Sequence, residues 1–294
     1  MIAPPFEDVR CLICESPTEF RYPVRDHLHG TPGDFALRAC RNCGCGITVP
    51  VVSEDTLPQY YASDYYTHEL VRGPRAVLRA IDLARRVNRH GLDRLARGTV
   101  LEIGPGDCSF LDCMDKRGWR VTGLDPDEVV LKNGTRRGYR MIAGTVPALP
   151  NERYDLIVAW HSLEHSADPK RDVAILAGQL SDRGKLLIGV PNYGSRMARA
   201  FGPCWFDLEV PRHRVHFTLK GLELLLASAG LRIERIRHWL SPYALAASLN
   251  YRRGGGKIRP VTTALSMAFW PLCWPLEAFG AGDSVSIVAE RRTA

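Results

Sequence analysis

The stretch Thr99-Val100-Leu101-Glu102-Ile103-Gly104-Pro105-Gly106-Asp107-Cys108 constrains this chain's fold more than any other. A short apolar strand runs directly into Gly-x-Gly and then into a helical pattern. Strand and helix signals then alternate. Strands are expected at Thr99–Ile103, Arg120–Leu124, Tyr139–Ala143, Tyr154–Trp160, Lys185–Val190 and Leu231–Ile236, with a last one at Ser284–Ala289. Helices are expected at Asp107–Arg117, Asp127–Arg137, Pro169–Leu180 and Leu219–Ala229, the last stopped by Gly230. Such alternation means an α/β fold, a mainly parallel sheet covered on both faces. Ligands of these sheets bind beyond the carboxyl ends of the strands.

A glycine turn after the first strand lets backbone approach a ligand closely. Gly104 and Gly106 supply it, and Glu102 sits just before the turn, where its carboxylate can meet an ammonium or order the loop. Asp125 ends the next strand about 20 positions further on, where an acidic side chain takes ribose hydroxyls. Two cofactors fit, a dinucleotide or S-adenosylmethionine (SAM). The dinucleotide pattern asks for glycine at position 109, which is Ser109 here. Val100 to Gly106, Asp125-Pro126 and Tyr154-Asp155-Leu156-Ile157-Val158 together favour SAM.

With these motifs the chain resembles the class I SAM-dependent methyltransferases, in the branch related to ubiquinone-type enzymes. Residues 99–110 are similar to the family's first motif and Gly123-Leu124-Asp125-Pro126 to its second. Tyr154 to His165, ending Ser162-Leu163-Glu164-His165, is similar to its fourth-strand motif. Val210-Pro211-Arg212-His213-Arg214-Val215-His216-Phe217-Thr218 resembles a further segment of that branch. The resemblance implies a Rossmann-like seven-stranded sheet with the final strand antiparallel. It also implies Gly104 and Gly106 on the amino-acid part of SAM, Asp125 and Pro126 at the ribose, and Thr145 to Leu149 by the adenine. Two positions depart from the pattern: Cys108 stands where many members have a third glycine, and Gly144-Thr145 replaces a frequent acidic residue.

Nine cysteines are present, and Cys11, Cys14, Cys40, Cys43 and Cys45 crowd into the first fifth of the chain. Cys11-x-x-Cys14 and Cys40-x-x-Cys43 have the spacing that lets paired thiolates share one ion, so a structural Zn²⁺ in a small ribbon is expected. Phe35–Ala39 reads as the strand delivering the second pair. Cys45 competes with Cys43 but lacks the spacing. No basic segment followed by an apolar run precedes Cys11, so a reducing cytoplasm is expected rather than a disulfide framework. The expected organisation is a zinc-ribbon-like module over 1–52, a linker with an amphipathic helix over 53–97, and a methyltransferase domain over 98–294 carrying an insert at 241–282. The helix, Arg75 to Leu95, is expected to end at Gly98.

Methyl transfer from a sulfonium requires alignment and, for many acceptors, a base. His161, Glu164, His165 and His213 are the candidate catalytic residues, all expected in loops on the ligand side, with His216 as a strand-capping histidine. Relatives with Glu-x-x-Glu-His hold a divalent metal there; this chain has His161-x-x-Glu164-His165. Sugar C-methyltransferases share the two-knuckle module but carry a larger C-terminal domain. The leading expectation is therefore methyl transfer to an O or C atom of a small-molecule, sugar or glycan acceptor. The net charge of +7 also suits a zinc-containing RNA methyltransferase. Against nucleic acid stand the lack of an aromatic platform interleaved with Lys/Arg and of an Asn/Asp-Pro-Pro-aromatic motif. A non-catalytic SAM-fold binding protein is the third reading. The apolar run Ala264–Leu276 is shorter than a membrane span of about 20 residues. It suits either a lid or peripheral membrane contact through 241–282.

Overall fold

The computed structural model describes residues 9–61, 83, 87–256, 273, 277 and 282–292. Eleven strands in two sheets organise them. The larger sheet contains β4 (Thr99–Ile103), β5 (Arg120–Asp125), β6 (Arg140–Ala143), β7 (Tyr154–Trp160), β8 (Leu180–Pro191), β10 (Leu231–Trp239) and β11 (Ser284–Arg291). Its order is β10-β11-β8-β7-β4-β5-β6. The pairs β8/β7, β7/β4, β4/β5 and β5/β6 are parallel, and β11 runs antiparallel to both its neighbours. This is the expected seven-stranded sheet with an antiparallel last strand. In β7, Leu156, Ile157, Val158 and Ala159 are at most 1% exposed. Burial on both faces explains why they read as a continuous apolar run rather than an alternating one.

Helices α1 (Ser109–Asp115), α2 (Glu128–Arg136), α3 (Pro169–Gly178) and α5 (Leu219–Ser228) cover the sheet. Local chemistry starts them. Asp127 accepts from the backbone of Val129 and Val130, Asp168 from Arg171, and Thr218 from Gly221, each satisfying N–H groups that a helix leaves open. The short α4 (Arg196–Phe201) and α6 (Pro242–Arg252) pack together near the turn at Phe206–Leu208, where the Phe206 N–H donates to Ser248.

The amphipathic helix ends earlier than expected. Val87–His90 is its last described stretch, and Gly91 breaks it with φ +68°, a left-handed conformation that glycine adopts at helix ends. Gly98 instead abuts Asp155, whose carboxylate would lie 2.1 Å from a Cβ there. Most of Arg75–Leu95 lies outside the described residues, as do Tyr65, Tyr66 and nearly all of Ala264–Leu276. Among the described residues no helix is long and apolar enough to cross a membrane.

The smaller sheet has the order β1 (Thr18–Val24), β2 (Phe35–Cys40), β3 (Gly46–Val49) and β9 (Val215–His216). The fourth strand lies between β8 and β10 of the larger sheet in the chain, so the cysteine module is spliced into that part of the fold. Gly46 pairs with His216 and Ile47 with Val215. The Thr48 N–H donates to the Arg214 carbonyl, and its hydroxyl donates to the His213 carbonyl. Thr218 donates to the Cys43 carbonyl and Lys220 to that of Asn42. Cys11, Ile13, Ile47 and Val49 share one core with Leu101, Ile157, Leu186 and Ile287.

A buried ion pair fixes the splice. Arg212 donates to both carboxylate oxygens of Asp26 at 2.9 and 3.1 Å, and both side chains are fully buried. Arg212 also donates to the Tyr60 carbonyl, which ties down the linker. Burial opposes ionisation of Asp26, but Arg212 outweighs it and holds the carboxyl below its usual range. Removing one partner strands a buried charge, so Asp26→Asn or Arg212→Met should each lower stability by about 3–5 kcal/mol. Asp26→Leu combined with Arg212→Met should recover much of that loss. Urea unfolding midpoints of the three variants check this.

Candidate active site

A cavity of about 950 Å³ opens at the carboxyl ends of β4, β5 and β7. All six positions expected at the cofactor line it: Glu102, Gly104, Gly106, Asp125, Pro126 and Thr145. Gly104 has φ +67°, and a Cβ there would stand 3.2 Å from the Cβ of Ser162. Ser162 in turn donates to the Ile103 carbonyl and braces the loop from β7. Conformation and space therefore both require glycine at 104. Cys108 has φ +63° and is fully buried. It takes the left-handed conformation natural to the glycine of related motifs, at a cost of about 1–3 kcal/mol. Asp125 closes the other side of the loop and accepts the N–H of Asp127 at 2.8 Å.

The rest of the cavity is built after β7 and from the linker. Trp160, His161 and His165 line it, with Phe110, His90 and Tyr61. His161 has φ +49°, so the strand ends in a sharp turn. Its Nδ1 lies 3.3 Å from a carboxylate oxygen of Glu164. Glu164 and His213 are absent from the lining and stand behind it. The rings of His165 and His213 are 4.7 Å apart, edge to face. His213 Nδ1 lies 2.8 Å from the Asp207 carbonyl, and its Nε2 is 4.0 Å from Glu164 and 3.8 Å from Glu209. A carbonyl can only accept, so Nδ1 carries the proton and Nε2 the lone pair. The same argument applies to His165, whose Nδ1 lies 3.0 Å from the Arg212 carbonyl, with the Tyr61 hydroxyl at 3.2 Å.

Burial pushes His165 and His213 down to about 4, and the proximity of each to another histidine adds to this. Both are neutral imidazoles around pH 7, able to accept a proton. Burial also opposes ionisation of Glu164, but the His161 hydrogen bond and the surrounding imidazoles outweigh it and hold its carboxyl at about 2. The ligand atoms of Glu164, His165 and His213 lie within 4.8 Å of one another. His216 serves the splice instead: it is buried in β9, and its Nε2 lies 2.9 Å from the Thr48 hydroxyl.

The four cysteines form a second centre. The sulfurs of Cys11, Cys14, Cys40 and Cys43 all lie within 4.8 Å of one another. Cys11–Cys43 and Cys14–Cys40 are each at 3.5 Å. Backbone N–H groups of Ile13, Asn42 and Cys43 point at the sulfurs of Cys11 and Cys40, as thiolates require. Cys45 stands apart, with its sulfur near Thr218.

Sequence reasoning did not single out Trp160, His90, Phe110 or Arg214 as site residues. An aromatic or arginine beside a strand carries no local mark of facing a cavity. The linker tyrosines divide: Tyr61 lines the site, while Tyr60 packs edge-on against Phe35 at 5.9 Å.

The comparisons with known proteins agree with this geometry. A family profile described as a methyltransferase domain matches residues 78–236. The chain therefore belongs to that methyltransferase family, and its class is that of the SAM-dependent methyltransferases. It is 36% identical over 86 residues to a ubiquinone biosynthesis O-methyltransferase of Nitrosomonas europaea, covering 26% of this chain and 36% of that one. A SAM-dependent methyltransferase of Archaeoglobus fulgidus superposes over 78% of this chain and 100% of its own, with 17% identity and a TM-score of 0.52. The mitomycin 7-O-methyltransferase MmcR aligns over 67% of this chain and 49% of its own, at 19% identity and a TM-score of 0.47. The chain thus spans about a third of the curated relative it matches and about half of the mitomycin enzyme.

The buried imidazoles make stability depend on pH. Unfolded histidines titrate near 6.5, whereas His165 and His213 do so at about 4 and His216 at about 3. Below pH 6.5 the unfolded chain takes up protons that the folded chain refuses. Their contribution is complete above that pH and is lost as pH falls toward 4. Glu164 acts in a lower window, between the ordinary carboxyl value of 4.5 and about 2. Melting temperature should therefore fall from pH 6.5 to 4, and His213→Gln should flatten that slope relative to wild type.

Proposed function

We propose that this protein transfers a methyl group from SAM to a hydroxyl oxygen of a small-molecule or glycan acceptor. The observation that carries the proposal is the continuity of one cavity from the Gly104–Gly106 loop and Asp125 to His161 and His165. SAM supplies an electrophilic methyl on its sulfonium. Gly104 and Gly106 let the backbone approach its amino-acid part, and Asp125 accepts from the ribose hydroxyls. An acceptor hydroxyl then faces His165. With Nδ1 held at the Arg212 carbonyl, the Nε2 lone pair of His165 takes the hydroxyl proton as the carbon–oxygen bond forms and the methyl–sulfur bond breaks, its electron pair passing to sulfur to leave S-adenosylhomocysteine. His213 and Glu164 stand behind it, and the Glu164 carboxylate stabilises the imidazolium that results. The cavity's aromatic lining suits a small acceptor better than a nucleic-acid strand. The identity with an O-methyltransferase over 86 residues supports oxygen over carbon.

The same proposal includes a structural zinc ion on Cys11, Cys14, Cys40 and Cys43. Tetrahedral Zn–S bonds of about 2.3 Å place sulfurs about 3.8 Å apart, and these four need only small shifts to reach that. The ion's part is structural: the module has little core of its own beyond what β9 provides.

Calorimetry should show SAM binding to wild type, and Asp125→Ala should weaken it by about tenfold or more. His165→Ala should lower turnover by about 10²–10⁴ while leaving SAM affinity nearly unchanged. An equal loss of both would remove His165 as the base. Elemental analysis should find about one zinc per chain. Cys40→Ser should lose the metal and lower the melting temperature.

A further inference from the structure

Arg214 is 1% exposed and lines the active-site cavity. One guanidinium nitrogen, Nη1, donates to the His165 carbonyl at 2.7 Å. Its Nε and Nη2 are buried and have no hydrogen-bond partner among the described residues. A buried guanidinium is costly unless its donors are met, and the same segment shows how this protein normally meets them. Two residues earlier, Arg212 carries Asp26 across two of its nitrogens. Arg214 has no such carboxylate. Glu54 is the acidic group whose charge reaches it, and Glu54 is exposed, with no hydrogen bond to it. Asp172, also at the cavity, is occupied by the Ser166 hydroxyl, and burial pushes its carboxyl up, away from full charge.

We propose that the acceptor of this methyltransferase carries a carboxylate, and that Arg214 binds it side-on through Nε and Nη2. This rests on the methyl-transfer reading and names the acceptor's class. The two nitrogens form one planar edge that matches the two oxygens of a carboxylate. A single guanidinium matches the charge of a monoanion and leaves a phosphate dianion undercompensated. Through Nη1 the same guanidinium holds the His165 backbone, so the group that binds the acceptor's anion also fixes the residue facing its hydroxyl. Tyr61, Trp160 and Phe110 around the cavity suit an acceptor with a flat apolar body.

The test uses the full-length protein saturated with S-adenosylhomocysteine. Benzoate, benzamide and phenyl phosphate serve as probes in calorimetric titrations. Wild type should bind benzoate at least about tenfold more tightly than benzamide and more tightly than phenyl phosphate. Arg214→Gln should erase the preference for benzoate, and Arg214→Lys should retain part of it, because lysine keeps the charge but not the fork. Both variants should bind S-adenosylhomocysteine like wild type. Equal binding of benzoate and benzamide by wild type overturns the proposal, whether or not the variants fold. Tighter binding of phenyl phosphate overturns the choice of carboxylate. A loss of S-adenosylhomocysteine affinity in Arg214→Gln matching any loss for benzoate would assign the fork to the cofactor's own carboxylate and overturn the proposal. Failure of wild type to bind S-adenosylhomocysteine at all would instead overturn the methyl-transfer reading beneath it.

Discussion

The segment from Val210 to Thr218 belongs to two structures at once, and the rest of the molecule depends on it. Its Val215-His216 pair is the fourth strand of the cysteine module's sheet. Its Arg212 is locked to Asp26 of that module, and Thr218 caps α5 while holding the Cys43 carbonyl. Its His213 packs against the active-site His165. A four-strand sheet of this size has too little apolar area to stand alone. It gains a core by sharing one with the methyltransferase sheet. The linker follows the same logic: Arg212 holds Tyr60, which leaves the neighbouring Tyr61 at the cavity.

The central sheet was legible in the sequence because its signals are local. Tyr154–Trp160 is a buried apolar run, and Asp127, Asp168 and Thr218 mark helix starts by residue type alone. The expected boundaries lie within a few residues of the observed ones, except at β8. That strand begins at Leu180, because Gly184 and the polar residues around it read as a turn but form an irregularity in one continuous strand. The shared sheet was not legible. Its pairing of Gly46 with His216 spans most of the chain, and a two-residue strand has no periodicity to detect. Gly91 was passed over for Gly98 because both follow apolar helical positions, and only the tertiary contact of Gly98 with Asp155 distinguishes them.

The site divides along the same line. Gly104, Gly106 and Asp125 are marked by spacing along one strand–turn–helix unit, and the cavity includes them. The histidines were recognisable as a group, but their roles depend on depth. His161 is about 40% exposed at its side chain, whereas His165 is half-buried and His213 buried, and desolvation rather than residue type sets their protonation. Around an ionised Glu164, neutral imidazoles give a polar interior without net positive charge. On the proposed reading, that arrangement keeps the base unprotonated at neutral pH, and a sulfonium beside it would itself disfavour an imidazolium.

Arg212 and Arg214 show what sequence cannot convey about a charged residue. They are two positions apart, of one type, and equally buried. In the sequence both are simply arginines of the Val210–Thr218 segment, with nothing to tell them apart. In the fold Arg212 has a carboxylate from 186 positions away, which makes it a structural bolt. Arg214 lines the cavity, holds one carbonyl, and leaves one edge without a partner among the described residues. The difference arises from which element each side chain meets once the cysteine module has docked, so the same docking that stabilises the module also leaves a guanidinium at the cavity.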